Sequence, residues 1–152
     1  MRRLVGIDEA GRGALAGPVV AAAVIFPTAG KYSKIKDSKQ MGPKDRWDQA
    51  RLIRESAPAW AIAMASVEEI DQLNIHQASL LAMKRAVELL GTLPDFALVD
   101  GKYYPKIKVP GEALIKGDSL IAEISAASIL AKTARDALMI KLESSYPGYG
   151  LA

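Results

Sequence analysis

Leu4-Val5-Gly6-Ile7 is a short apolar run that stops at two adjacent carboxylates, Asp8 and Glu9, after which a glycine pair, Gly11 and Gly13, brackets Arg12. An apolar run of this kind reads as a strand buried on both faces and ending at the rim of a sheet. Two more runs end the same way. Phe96-Ala97-Leu98-Val99 stops at Asp100, and Ala113-Leu114-Ile115 is followed by Lys116-Gly117-Asp118. Adjacent strands lie about 4.8 Å apart, so acids at neighbouring strand ends can share one ligand. Open α/β sheets bind ligands in such crevices.

The remaining elements fit around that sheet. Residues 3–8 are expected as the first strand and Gly17 to Phe26 as the second, stopped by Pro27 and joined to the first by a link short enough for a hairpin. Residues 28–42 are polar and lysine-rich and are expected as loop. Pro43 suits the first turn of a helix to about Ser56, and Trp60 to Val67 a third strand. Ser66-Val67-Glu68-Glu69 has the capping-box pattern and opens a helix to about Leu90, with Leu73, Leu80, Met83, Val87 and Leu90 on one face. Gly91 stops it. A long last helix is expected from Ser119 to about Ser144, with Leu120, Ile124, Ala127, Ala131, Ala134, Leu138 and Leu142 as its apolar stripe. The order β-β-α-β-α-β-β-α predicts an α/β fold, a central mixed sheet of about five strands flanked by helices.

With 152 residues the chain is expected to form one domain, residues 1–152. It has no cysteine, which excludes a disulfide framework, a thiol nucleophile and a cysteine zinc site. Met1-Arg2-Arg3 is followed by an apolar run that Asp8 and Glu9 break at once, which excludes a signal peptide; no run is long enough to span a bilayer. A cytoplasmic protein without membrane contact, and a monomer, is expected. The net charge of +3 is compatible with a polyanionic partner.

Four carboxylates, Asp8, Glu9, Asp100 and Asp118, would repel one another if they met without compensation, and a hard divalent cation removes that conflict. Oxygen donors select magnesium or manganese. Two such ions can clamp the attacking and leaving oxygens of a phosphodiester. Taken singly, each acid also fits a turn or cap residue; Asp118 before Ser119 could simply cap the last helix.

Gly11-Arg12-Gly13 lets backbone amides approach an anion closely, and Arg12 adds a forked donor suited to phosphate. A dinucleotide-binding turn is excluded, because a strand and not a helix follows it. On the last helix Asp118, Ser125, Ser128, Lys132 and Arg135 are spaced 7, 3, 4 and 3 apart and share one face. A phosphate backbone could run along that face, or it could be an ordinary polar face with serines for close packing. His76, the only histidine, is expected at a helix surface or partly buried, and Trp47 and Trp60 as core or helix–sheet packing residues.

These motifs together resemble type 2 ribonuclease H, the ribonuclease HII family. Gly6-Ile7-Asp8-Glu9-Ala10-Gly11-Arg12-Gly13 is similar to the family's opening signature, and Asp37-Ser38-Lys39 to its next polar motif. Asn74-Ile75 with Ala78 and Met83, Asp100-Gly101, Lys116-Gly117-Asp118, Ser125 to Lys132 with Arg135-Asp136, and Tyr146-Pro147-Gly148-Tyr149-Gly150 follow in the family's order. The resemblance implies an RNase H-like fold. It implies metal-dependent endonucleolytic cleavage of the RNA strand of RNA/DNA hybrids and at single ribonucleotides in duplex DNA, leaving 5′-phosphate and 3′-hydroxyl ends, with Mn2+ or Mg2+. It makes Asp8, Glu9, Asp100 and Asp118 the catalytic, metal-binding acids. Gly11, Arg12 and Gly13 would read the RNA–DNA junction through the 2′-hydroxyl, the group that separates RNA from DNA. Lys39, Ser125, Ser128 and Lys132 would hold the phosphate backbone.

Two features depart from the family pattern. Lys102 stands where the family usually has Asn. The sequence also has no counterpart of the later Gly-Tyr segment, whose tyrosine stacks at the junction, which implies weakened substrate binding and junction specificity. A non-catalytic hybrid-binding module and another RNase H-fold DNA nuclease are the alternatives.

Overall fold

The computed structural model describes residues 3–11, 17–26 and 42–145. The expected loop at 28–42 falls almost wholly outside them, and so do Arg12, Gly13, Asp37-Ser38-Lys39 and Tyr146 to Gly150. Five strands form one sheet: β1 (Leu4–Ala10), β2 (Val19–Phe26), β3 (Ala59–Ala65), β4 (Phe96–Asp100) and β5 (Gly111–Leu114), in the order β3-β2-β1-β4-β5. β1 pairs with β2, and β2 with β3, antiparallel; β1 pairs with β4, and β4 with β5, parallel. The sheet is therefore mixed, as the element pattern predicts.

Alternation along the strands sends side chains to two cores. Val5, Ile7, Ala21, Ala23, Ala97 and Val99 face one helix, α3 (Ile75–Glu88), through Ala78, Ala82, Met83, Ala86 and Val87. On the other face Ala22 and Val24 meet α1 (Pro43–Ser56) and α5 (Ala122–Ser145). The pleat places Gly6 and Asp8 on the α5 side, because they alternate with Val5 and Ile7.

Both long helices break where the hydrophobic spacing predicts continuity. The capping box at Ser66 is present: its hydroxyl accepts from the Glu69 N–H at 3.2 Å, and Glu69 accepts from the Ser66 N–H at 3.0 Å. The helix it opens, α2 (Val67–Leu73), ends at Asn74. Asn74 takes φ 75°, and its side chain accepts from the Gln77 N–H at 3.0 Å, so one residue closes α2 and caps α3. Leu73 is thereby displaced from the apolar face and is exposed, whereas Met83, Val87 and Leu90 are buried. The last helix is likewise two pieces, α4 (Gly117–Leu120) and α5, separated by Ile121 in extended conformation.

The buried surface of α5 is wider than one stripe. Ile124 through Ala131 are all buried, because the sheet lies under α5 while Ala50 and Ile53 of α1 cover its other side. Arg46 of α1 and Asp136 of α5 add an ion pair at 3.8 Å. Trp47 and Trp60 are not core residues: each is more than a third exposed, and the Trp60 indole N–H donates to the Arg54 carbonyl at 3.1 Å. Among the described residues no helix is long and apolar enough to cross a membrane.

Candidate metal and nucleic-acid site

The parallel register of β1 and β4 pairs Ile7 with Val99, so Asp8 and Asp100 follow side by side at the C-terminal rim. β5 lies next to β4, with Asp100 opposite Leu114. Beyond β5, Lys116 adopts a left-handed conformation, φ 59°, that turns the chain sharply into α4. That turn brings Asp118 back over the rim, where its N–H donates to Asp100 Oδ1 at 3.3 Å. Carboxylate oxygens of Asp8, Asp100 and Asp118 all lie within 4.8 Å of one another. Asp8 and Asp118 are almost fully buried, 4% and 3% exposed, in a site with no nitrogen or sulfur ligand among the grouped residues.

Glu9 is not in that group. The register through Asp8, Glu9 and Ala10 is regular, so the pleat starts the Glu9 side chain from the opposite face, without a bulge. It nevertheless stays in electrical contact with the cluster. Burial pushes the Asp8 carboxyl well above the usual carboxylate range, and the charges of Glu9 and Asp100 push it further. The Glu9 N–H, donating to Asp8 Oδ1 at 2.8 Å, works in the opposite direction. A buried carboxyl that resists ionisation beside other acids is the electrostatic situation that a divalent cation relieves.

The expected phosphate-binding residues fall in different surroundings. Gly11 is described, with φ 98°, while Arg12, Gly13 and Lys39 lie outside the described residues. Ser128 is fully buried and Ser125 is 4% exposed, so both hydroxyls sit inside the packing of α5. Lys132 is half-buried, one turn beyond Ser128. His76 is half-buried at the start of α3, its ring edge-on to Tyr103 at 4.5 Å.

Two residues matter more than sequence spacing suggests. A Cβ on Gly6 would collide with the Glu123 carbonyl and the Ile124 nitrogen, so this glycine lets α5 cross β1 in backbone contact. A glycine inside a strand is the signal for such a close approach. Arg135, on the same helical face as Lys132 by spacing, turns to the glycine turn instead, where its Nε donates to the Pro18 carbonyl at 3.1 Å.

An acid cluster at the rim of a mixed sheet, crossed by a long helix, is the arrangement of a metal-dependent nuclease with an RNase H-like fold, and the solved structures agree. The ribonuclease H2 from Pyrococcus horikoshii OT3 superposes with a TM-score of 0.84 at 26% identity, over 97% of this chain and 79% of that one. Bst-RNase HIII in complex with Mn2+ shares the fold at 22% identity, with a TM-score of 0.81 over 95% of this chain and 55% of that one. The family model for ribonuclease HII matches residues 5–152. The ribonuclease HII of Dechloromonas aromatica (strain RCB) is 58% identical over 145 residues, which is 95% of this chain and 74% of that protein. The chain belongs to the ribonuclease HII family and is a metal-dependent endoribonuclease of the ribonuclease H type 2 class.

Proposed function

We propose that the chain acts as a single-domain monomer in the cytoplasm. It cleaves the RNA strand of RNA/DNA hybrids, and single ribonucleotides embedded in duplex DNA, to 5′-phosphate and 3′-hydroxyl ends. The observation that carries this is the convergence of three carboxylates, from β1, β4 and the start of α4, within 4.8 Å. Their donors are all oxygen and two of the three are buried, which fits a hard divalent ion such as Mn2+ or Mg2+ and not zinc. When bound, such an ion supplies charge neutralisation at the scissile phosphate and makes water easier to deprotonate.

The residues of the chain divide the remaining work. Asp8, Asp100 and Asp118 hold the cation, with Glu9 as the fourth acid beside Asp8. Gly11, Arg12 and Gly13 bind the 2′-hydroxyl and its neighbouring phosphate, placing the ribonucleotide 3′ to the phosphate that is cut. Lys39 and Lys132 hold the backbone. Ser125 and Ser128, 4% and 0% exposed in the free chain, belong to the same phosphate-binding face of α5 as Lys132.

The test uses three duplexes of one sequence: all-DNA, DNA with a single ribonucleotide, and an RNA/DNA hybrid, each with Mn2+, Mg2+ or chelator. Cleavage of the second and third only, dependent on the cation and leaving a 5′-phosphate, is expected. Cutting of the all-DNA duplex at the same rate would favour a DNA nuclease, and binding without cutting a non-catalytic module.

A further inference from the structure

The glycine turn that follows the acids has a brace. β1 enters the turn at Gly11 and β2 leaves it at Gly17-Pro18, and both glycines have positive φ, 98° and 88°. Arg135 reaches both ends from α5. Its Nε donates to the Pro18 carbonyl at 3.1 Å. A Cβ on Gly11 would overlap that Nε and stand 2.8 Å from Arg135 Cδ, and 2.9 Å from the Pro18 oxygen. A Cβ on Gly17 would stand 3.1 Å from Arg135 Nη2 and 2.7 Å from Met139 Sδ. The guanidinium thus fills the space that two absent side chains leave.

Arginine suits this task because its planar fork is rigid and its Nε–H has a fixed direction, which a lysine ammonium lacks. The placement also links two parts of the site. α5 follows directly on the short helix that carries Asp118, and lies in backbone contact with β1 at Gly6, two residues before Asp8. One helix therefore sets the position of the acid cluster and of the turn.

We infer that Arg135 is a positioning residue for substrate selection: it fixes both ends of the Gly11–Gly17 turn relative to Asp8, Asp100 and Asp118. Gly11, proposed above to bind the 2′-hydroxyl, is thereby held at a fixed place relative to the acids. This rests on the assignment of the turn to ribose recognition. The rival role for Arg135 is a direct phosphate contact on the outer face of α5, which requires only its charge.

Arg135→Lys and Arg135→Gln in the full chain separate the two. For cleavage at a single ribonucleotide in Mn2+, KM is expected to rise about tenfold or more in both variants, the scale of effect expected when a binding group is misplaced by a fraction of an ångström. The kcat at saturating substrate and the Mn2+ affinity by calorimetry are expected to stay at the parent values. In proton–nitrogen correlation spectra the Gly11 and Gly17 amides are expected to move in both variants, while those of Gly101 and Gly117 stay in place. Full recovery of KM by Arg135→Lys would overturn the inference in favour of a phosphate contact. Loss of Mn2+ affinity would overturn it in favour of a general structural role. Should the parent chain cleave no ribonucleotide, the functional proposal fails, and unmoved Gly11 and Gly17 amides would by themselves overturn the brace.

Discussion

Gly6 lies against the Glu123–Ile124 peptide of α5 with no room for a side-chain carbon between them. That contact sets the distance from β1 to α5, and with it the position of Asp118 relative to Asp8. Gly6→Ala must push the two backbones apart, and no side chain can rotate away to absorb the strain. Overpacking of a core costs about 1–3 kcal/mol when side chains can yield, and about 3 kcal/mol or more is expected where they cannot. Chemical denaturation checks the stability, and calorimetry with Mn2+ checks whether cation affinity falls with it.

Asp8→Asn is expected to separate stability from function. In the metal-free chain the Asp8 carboxyl sits above its ordinary value because of burial, Glu9 and Asp100. An acid with a raised folded pKa favours the fold below its unfolded value, and that contribution is lost as pH rises through the raised one. The metal-free parent should therefore lose stability from acid toward neutral pH through this group. Asp8→Asn should melt higher than the parent in chelator at neutral pH, and should lose the stabilisation that Mn2+ gives the parent.

The corner between β3 and α3 predicts the opposite pH dependence. Arg85 Nη1 donates to Glu69 at 2.7 Å and to the Met64 carbonyl at 3.0 Å, and the capping box also engages Glu69. The Arg85 guanidinium, with the Ser66 N–H, lowers the Glu69 carboxyl from 4.5 to about 2. A depressed acid stabilises the fold above its unfolded value, and that stability disappears as pH falls from 4.5 toward about 2. The carboxyl is partly exposed, so the effect is small and salt-sensitive. Melting temperatures from pH 5 to pH 2 should fall less steeply in Glu69→Gln than in the parent.

Lys132 offers a test of the phosphate path. Lys132→Ala is expected to weaken binding of every duplex by a similar factor and to reduce the slope of log affinity against log salt by about one. Fluorescence anisotropy at several salt concentrations measures both. An unchanged slope would remove Lys132 from the substrate contacts.

The sheet was legible because its apolar runs are followed by acids, which points Asp8, Asp100 and Asp118 to one rim; β1 in fact continues through Asp8 to Ala10, and Asp118 reaches the rim from α4. Helix continuity was less legible. Apolar spacing runs through Asn74 and Ile121 undisturbed, and nothing local announces that Asn74 takes a positive φ and caps a second helix. The burial of Ser125 and Ser128 is a tertiary fact that periodicity does not carry. Arg135 shares a helical face with Lys132 by spacing. Its turn toward Pro18 follows from the Cβ-free space at Gly11 and Gly17, which only the fold brings beneath it.

The most direct measurement of the central claim is cleavage of a duplex carrying one ribonucleotide by the parent and by Asp100→Asn, in saturating Mn2+, alongside the affinity of each for that duplex. Cation-dependent cutting by the parent, its loss in Asp100→Asn and retained duplex binding by both are the predicted result. Cutting by Asp100→Asn at the parent rate would contradict the assignment of Asp8, Asp100 and Asp118 as the metal-holding catalytic acids.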